Sequence, residues 1–198
     1  MSADSYTTYR ALVARIGAFA QRVRQRHAKH ITCQAGCDSC CYQTFTIFPV
    51  EAEHMAQVVA SLPQPQRQQL RAHLDAAPDT FNMVEDARPC VLLAQGRCLL
   101  YAGRPLICRM HGYPMYSTMV RRDDGSQRDC CPLNFSTLPL RLLEREAIFN
   151  LDLVNQTLAA INHQFVRQRQ LIDERLSIRH AVMRALAESR ERKPIGNV

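Results

Sequence analysis

The sequence predicts a mainly α protein in which helices at both ends form a bundle. This bundle packs against an irregular, cysteine-rich middle segment with one or two small β-hairpins. Apolar residues recur at three- and four-residue steps near both ends, while all nine cysteines lie between residues 33 and 131. We expect a single domain spanning residues 1–198. It comprises an N-terminal helix over 5–29, the cysteine-rich region over 30–135 and C-terminal helices over 136–193.

Three helices are predicted before the irregular segment. In residues 5–29 the apolar side chains recur on one helix face and the arginines fall on the other. Helices over 50–61 and 64–76 follow, because Pro49 suits a first helical position and Pro63 with Pro65 separates the two. The apolar face of the first helix contains Tyr9, Leu12, Val13, Ile16, Phe19, Ala20 and Val23.

Residues 78–139 hold six of the ten prolines and show no long helical period. Gln95-Gly96 between short apolar runs predicts a small hairpin, and Asp124-Gly125 predicts a second tight turn. Helix is expected again from about residue 140, on two apolar stripes. The first contains Leu151, Val154, Leu158, Ile161 and Phe165, and the second contains Ile172, Leu176, Met183 and Leu186.

The polar start has no apolar signal segment, and no stretch approaches 18 apolar residues, so a cytoplasmic protein without a membrane span is expected. The net charge is +7, with much of the excess in two arms, Arg10–Lys29 and Arg167–Lys193. Apart from Phe19 on the apolar helix face, no aromatic residue interleaves with these arms to stack on single-stranded bases, so nucleic acid is not the expected partner.

The first cysteine group, Cys33-x3-Cys37-x2-Cys40-Cys41, is the sharpest signal in the chain. Thiols stay reduced in the cytoplasm, which disfavours disulfides for so many cysteines. Cysteines close in sequence converge easily on one metal, and Gly36 permits a strained turn between them. Thiolates select zinc, copper(I) or iron–sulfur clusters, but the spacing alone does not choose among these.

The second group consists of Cys90, Cys98 and Cys108, followed by Cys130 and Cys131. Two four-coordinate sites can be drawn from the nine thiols. One holds the four cysteines of the first group, and the other holds Cys90, Cys98, Cys108 and a residue of the 130–131 pair. A single site pooled from both groups is the arrangement we favour, since two adjacent cysteines seldom both bind one ion. Metal would then hold the irregular segment.

The first group, with the downstream run Cys98-x2-Tyr101-x2-Arg104-Pro105-x2-Cys108-Arg109, resembles the YkgJ-type cysteine-cluster family. The resemblance covers about residues 30–135 and implies a zinc- or iron-chelating domain. It implies Arg104 and Arg109 near the site, where they offset thiolate charge or donate hydrogen bonds to the sulfurs. The alternative is that both arginines bind backbone carbonyls or carboxylates. The ligands it implies are Cys33, Cys37, Cys40, Cys41, Cys90, Cys98 and Cys108, with Cys130 and Cys131 as further candidates.

Other side chains have weaker claims to a role in the site. Tyr101 is expected in the core or beside the ligands rather than as a catalytic group. Among the histidines His111 is the best candidate ligand, while His27 and His30 lie just before Cys33. With this many cysteines, no histidine ligand is required. No phosphate-binding glycine loop or hydrolase motif is present in the sequence.

These residues predict an iron–sulfur protein, with a 4Fe–4S cluster or similar, in a redox role or associated with catalysis. If the protein is an enzyme, an oxidoreductase is the expected kind. The alternative is a zinc-stabilised module for interaction or assembly, without catalysis. A metal-handling role with labile binding stays open, and a protein partner is compatible with each of these hypotheses.

Overall fold

The computed structural model describes residues 4–77, 89–122 and 125–191, and the chain is mainly helical. The helices of these ranges are α1 (Ser5–Arg26), α2 (Pro49–Ser61), α3 (Gln64–Ala76), α4 (Leu106–Met110), α5 (Leu151–Arg169) and α6 (Ile178–Glu191). The strands of the same ranges are β1 (Thr46–Ile47), β2 (Leu93–Ala94), β3 (Arg97–Cys98), β4 (Met115–Tyr116), β5 (Arg128–Asp129), β6 (Phe149–Asn150) and β7 (Leu176–Ser177).

The chain divides into two compact units, each made of two separate stretches of sequence. Unit 1 contains Met1–Cys40 and Leu106–Asp173, and unit 2 contains Cys41–Pro105 and Glu174–Val198. The boundary between the units falls between Cys40 and Cys41, so the first cysteine group is divided between the two units. Unit 1 holds Cys33, Cys37, Cys40, Cys108, Cys130 and Cys131, and unit 2 holds Cys41, Cys90 and Cys98.

Unit 1 is built on the packing of α1 against α5 and α4. Asp4 caps α1 by accepting a hydrogen bond from the backbone N of Thr7 (3.3 Å). One apolar face of α1 is buried, and each such side chain contributes roughly 1.5–3 kcal/mol. The buried apolar residues of the two long helices are Tyr9, Leu12, Ile16, Ala20 and Val23 in α1 and Leu158, Ile161, Phe165 and Val166 in α5.

A three-stranded sheet completes unit 1, with β4 between antiparallel β5 and parallel β6. Phe149 of β6 packs on Phe19 of α1, their ring centroids 4.2 Å apart. Asp152, at the start of α5, accepts hydrogen bonds from Ser117 Oγ (2.6 Å) and Thr118 N (2.8 Å). These hydrogen bonds attach the residues that follow β4 to α5. Because β5 pairs with β4, the sheet also holds the segment that leads to residue 130.

Unit 2 has a more regular core. Strand β1 pairs with β7 antiparallel, Ile47 opposite Leu176, and α2 packs against α6. The hairpin of β2 and β3 and helix α3 also contribute buried side chains. The buried core contains Ile47, Met55, Val59, Leu70, Leu74, Leu92, Leu100, Ile178, Val182 and Leu186.

The structure confirms the mainly α fold class and the predicted helices up to residue 76. The hairpin at Gln95-Gly96 is also confirmed: both residues have positive φ, 50° and 71°, as a two-residue type I′ turn requires. Within the second predicted turn, residues 123–124 lie outside the described residues, while flanking β4 and β5 do pair. The single domain stays a prediction.

The two helices predicted toward the C-terminus are present as α5 and α6. The predicted start at about residue 140 was too early, and part of the second apolar stripe was wrong. Helix α5 begins only at Leu151, after turns and β6. It ends where Gln170 adopts the left-handed conformation (φ 54°), so Ile172 lies outside any helix and is 81% exposed. Leu176 belongs to β7. None of the helices in the described ranges is long and apolar enough to cross a membrane.

Candidate metal centre

Four cysteines of unit 1 come together: Cys33, Cys37, Cys130 and Cys131, here called the unit 1 thiol group. Cys33 is electrostatically coupled to Cys37 and Cys131, and Cys130 is coupled to Cys131 and Cys33. The loop after α1 and the loop after β5 therefore meet, although about a hundred residues separate them in sequence. None of the nine cysteines, all of which lie in the described ranges, forms a disulfide.

Short hydrogen bonds hold these two loops together. The backbone N of Phe135 donates to His30 O (2.7 Å), and the backbone N of Thr32 donates to Asn134 Oδ1 (2.8 Å). The Thr32 hydroxyl proton is shared between Leu133 O (3.1 Å) and Asn134 Oδ1 (3.0 Å). The His30 ring stacks on the Phe135 ring, with centroids 5.8 Å apart. Residues 30–32 and 133–135 thus form a fixed crossing beside the unit 1 thiol group.

The Cys33 side chain lies against polar groups rather than in an apolar pocket. Asn134 Nδ2 donates to Cys33 Sγ (3.1 Å) and to Gly112 O (2.6 Å). A Cβ atom at Gly112, whose φ is 97°, would lie only 3.3 Å from Cys33 Sγ. Arg24 Nη1 donates to Cys33 O (3.0 Å), fixing the backbone of this residue to α1.

Cys37 follows a tight turn that depends on glycine. The backbone N of Cys37 donates to Gln34 O (3.0 Å), and Gly36 has a φ of 93°. A positive φ at the third residue is the signature of a type II turn, which glycine adopts without strain. The turn reverses the chain between Cys33 and Cys37, so both can lie on one side of the loop.

The thiols of Cys33 and Cys130 hold their protons more tightly than ordinary cysteines. Burial raises the pKa of the Cys33 thiol, and the hydrogen bond from Asn134 partly opposes this. Burial and the charge of Asp129 raise the pKa of Cys130 to about 11. The Cys130 thiol also donates to Cys131 O (3.4 Å) and Asn134 O (3.5 Å). Metal binding by these thiols requires the loss of their protons.

The three cysteines of unit 2, here called the unit 2 thiol group, lie beside the β2–β3 hairpin. The backbone N of Cys90 donates to Cys41 O (2.6 Å), so these two residues are neighbours. Leu93 donates to Cys90 O (2.8 Å) and pairs with Cys98 across the hairpin. Cys90 and Cys98 are half-buried against the apolar core of unit 2.

The two arginines implied by the family resemblance belong to different units, Arg104 to unit 2 and Arg109 to unit 1. Arg104 Nε donates to Tyr101 O (3.1 Å), and its guanidinium lies 3.5 Å from the centre of the Tyr101 ring. This contact matches the carbonyl-binding alternative for Arg104. Of the two places expected for Tyr101, the core is excluded, because its position at the start of a surface turn leaves it 63% exposed. A place beside the ligands stays a prediction.

The remaining candidates lie on short elements of unit 1. Cys40 is in the 3₁₀ turn Ser39–Tyr42, and Cys108 is in α4. Burial lowers the pKa of His111 despite the opposing charge of Asp129, which favours the neutral imidazole, the form that binds metal. His27 Nε2 lies 3.1 Å from Glu144 Oε1, an interaction that accounts for His27 without a metal.

The donor chemistry of the unit 1 thiol group fits a soft or borderline metal. No three Cys, His, Asp or Glu side chains in the described part of the chain are already arranged as ligands. Because a Zn–S bond is about 2.3 Å long, the thiols of Cys37, Cys130 and Cys131 would turn toward the Cys33 sulfur on binding, while the hydrogen bond from Asn134 keeps that sulfur in place.

Sequence reasoning did not find Asn134 or Gly112. Asn134 is 2% exposed, and its amide contacts two loops. Its partners Cys33 and Gly112 lie 101 and 22 positions away in the sequence, so no local pattern identifies this asparagine. A glycine directly after the Cys108–His111 run was a usable signal for a close backbone approach, and the φ of 97° at Gly112 gives it that role.

Fold and site together define a helical, cysteine-rich protein with thiol groups suited to metal. A family model described as "Putative zinc- or iron-chelating domain", named CxxCxxCC, matches residues 32–132, just over half of the chain, and the chain belongs to this family. Neither the curated proteins nor the solved structures contain a significant match.

The membership establishes that the cysteines serve metal binding, with zinc or iron as the metals concerned.

Proposed function

We propose that the protein carries an iron–sulfur cluster on the unit 1 thiol group and uses it in electron transfer. The observation that carries the proposal is the meeting of Cys33 and Cys37 with Cys130 and Cys131 in one unit. Four thiolates are the ligand set that binds 2Fe–2S and 4Fe–4S clusters. When bound, such a cluster supplies one-electron redox chemistry.

The chain's own residues would hold and shield this centre. Arg24 fixes the backbone of Cys33, and the crossing of residues 30–32 with 133–135 keeps the two thiol-bearing loops together. The sulfur of Cys33 accepts an N–H from Asn134, a contact of the kind that tunes cluster potentials. A catalytic residue is not part of the proposal, and a protein that exchanges electrons with it would be the natural partner.

The wider ligand set remains part of the proposal. Cys40 and Cys108 lie in unit 1 and would serve as further or exchanging ligands of the same centre. The unit 2 thiol group, with Cys41, Cys90 and Cys98, is a candidate second site for one metal ion. If both sites are filled, each chain binds more metal than one ion or one cluster contains.

Zinc stabilisation without redox chemistry is the second candidate, and one observation favours it. The loops that carry the unit 1 thiol group contain only short turns and the two-residue strand β5 near residue 130. A metal that cross-links two such loops would supply folding free energy directly, as structural zinc does. In this case the protein would serve interaction or assembly.

Metal and sulfide analysis with an absorption spectrum, on full-length protein purified without oxygen, separates the two candidates. The proposal predicts iron with matching acid-labile sulfide and visible absorption that bleaches on reduction. Zinc without iron or sulfide would sink the redox proposal and leave the structural module. A cluster whose spectrum is unchanged between strong reductant and strong oxidant would contradict the electron-transfer role.

A further inference from the structure

Asn134 is buried, and both ends of its side-chain amide have two partners. Oδ1 accepts from Thr32 N (2.8 Å) and Thr32 Oγ1 (3.0 Å). Nδ2 donates to Gly112 O (2.6 Å) and Cys33 Sγ (3.1 Å). A backbone N–H only donates and a backbone carbonyl only accepts, so Thr32 and Gly112 together fix which end of the amide is nitrogen. The N–H groups must therefore face Cys33.

This orientation makes the Cys33 sulfur a hydrogen-bond acceptor. One hydrogen of Nδ2 is used by Gly112 O, and the second lies toward Sγ. Hydrogen bonds to charged acceptors are roughly twice as strong as neutral ones, so the contact favours a thiolate over a thiol. Asn134 is 2% exposed, which limits competition from water for this donor.

Gly112 allows the close approach on which this contact depends. A methyl group at this position would lie 3.3 Å from Cys33 Sγ and 3.5 Å from Asn134 Nδ2. The positive φ of 97° would also strain any other residue. The sulfur thus lies between a fixed donor and a backbone without a side chain, both of which limit where it can move.

We infer that Asn134 is a positioning residue: through its Nδ2–H it holds the Cys33 sulfur in the orientation in which that sulfur binds metal. The inference rests on the proposed function, because it requires Cys33 to be a ligand. Asn134 itself does not contact the metal. Loss of such an outer partner typically lowers metal affinity about 10–100-fold, and we expect this range for Asn134→Ala.

A double-mutant cycle with zinc tests the inference on the full-length chain. The affinity of wild type, Cys33→Ala, Asn134→Ala and the double variant is measured by competition with a chromophoric chelator under anaerobic conditions. If Asn134 acts through Cys33, the double variant binds zinc no more weakly than Cys33→Ala alone.

Thr32→Val is the matched control. It removes a hydroxyl that lies against both Asn134 Oδ1 and Leu133 O and so weakens the loop contacts, but it keeps the Thr32 N–H and the N–H···S contact. Its zinc affinity should stay within about threefold of wild type, well below the 10–100-fold loss expected of an outer partner. A loss in Thr32→Val equal to that in Asn134→Ala would overturn the inference, because the effect would then come from loop structure.

The cycle distinguishes failure of the inference from failure of the proposed function. Unchanged affinity in Cys33→Ala means that Cys33 is not a ligand, and the proposed centre fails together with the inference. A weakened Cys33→Ala with an unchanged Asn134→Ala overturns only the inference. The inference is also overturned if Asn134→Ala weakens zinc binding as much in the Cys33→Ala variant as it does in wild type, because Asn134 would then not act through Cys33.

A measurement on wild-type protein does not depend on the variants folding. With cadmium-113 in the site, NMR detects scalar coupling from the metal to protons of ligand cysteines and to N–H groups bonded to their sulfurs. We expect coupling to the Cys33 β protons and to one Asn134 side-chain N–H proton. Coupling to Cys33 without coupling to Asn134 overturns the inference, and coupling to neither overturns the ligand assignment as well.

Discussion

The two thiol groups are embedded in different kinds of structure. The unit 1 thiol group lies on loops joined by hydrogen bonds, such as that from Phe135 N to His30 O (2.7 Å). The unit 2 thiol group lies beside the β2–β3 hairpin, and its Cys90 and Cys98 are half-buried against a continuous apolar core. Leu74 and Val182 of this core are 0% exposed.

This difference indicates how metal and folding are linked in each unit. Apolar burial stabilises unit 2 whether or not metal is bound. In the loops of the unit 1 thiol group, which lie in the described ranges, Phe135 is the one buried apolar side chain, so a metal that cross-links these loops would add a large share of their local stability. Metal loss should therefore loosen the region around Cys33 and leave the core of unit 2 intact.

The largest effect is expected in the core of unit 2. Leu74→Ala deletes a fully buried side chain and should lower the free energy of unfolding by about 2–5 kcal/mol, measured by urea denaturation. Metal affinity should not change, because Leu74 belongs to the buried core of unit 2 and to neither of the loops that carry the unit 1 thiol group. Leu142→Ala, at a position 66% exposed, is the control and should change stability by less than about 0.5 kcal/mol.

The second effect compares cysteines of the two groups. Cys131→Ala removes a proposed ligand and should weaken metal binding by about 100-fold or more, beyond the loss expected of an outer partner. Cys130→Ala should cost less, since the Cys130 thiol already donates to two backbone carbonyls. Chelator competition measures both variants.

Cys98→Ala is the comparison from the unit 2 thiol group. It should leave the tightest metal site intact and reduce only the total metal bound. If Cys98→Ala weakens the tightest site as much as Cys131→Ala does, the separation of the two thiol groups is wrong.

The third effect tests the turn before Cys37. Gly36→Ala should lower the stability of unit 1 by about 1 kcal/mol, because φ is 93° while the space around the new methyl is open. Gly17→Ala, also in open space but in helix α1 without a positive φ, should raise stability by about 0.5–1 kcal/mol. Opposite signs in thermal melts are the expected result; equal losses would contradict the account.

The smallest effect is pH dependence at the start of α5. Hydrogen bonds from Ser117 and Thr118 lower the pKa of Asp152 below its ordinary value of 3.8. The unfolded chain then binds this proton more readily, so the stabilisation is present above pH 3.8 and is lost as the pH falls through the lower folded value.

Ser117→Ala should move the pKa of Asp152 back toward its ordinary value, followed by NMR titration of the carboxyl. A pKa that does not respond would show that these hydrogen bonds do not hold the β4–α5 connection. The metal content should be the same in this variant, because Asp152 lies outside both thiol groups.

Local signals explain the parts of the fold that the sequence predicted. Pro49, Pro63 and Pro65 delimit α2 and α3 to within a residue or two, and Gln95-Gly96 marks its hairpin. The pairing of β1 with β7 was not predictable, because two-residue strands 130 positions apart carry no detectable pattern. The end of α5 was missed because Gln170 adopts positive φ without being glycine.

The candidate site was predictable in its chemistry and in part in its grouping. The cysteine pattern left open two separate sites or a single site pooled from both groups, and it favoured the pooled site. In unit 1, Cys33 of the first group lies near the 130–131 pair of the second, an arrangement of the pooled kind, through hydrogen bonds that only the folded loops create. Which cysteines bind metal stays a prediction.

Hydrogen exchange on the full-length chain, compared between the metal-loaded and the metal-stripped protein, tests most directly where the metal acts. The account predicts that loading slows exchange of backbone amides in residues 30–40 and 128–135, while those of α2 and α6 exchange at unchanged rates. Slower exchange confined to the β2–β3 hairpin and the residues around Cys41, with no change around Cys33, would contradict the account.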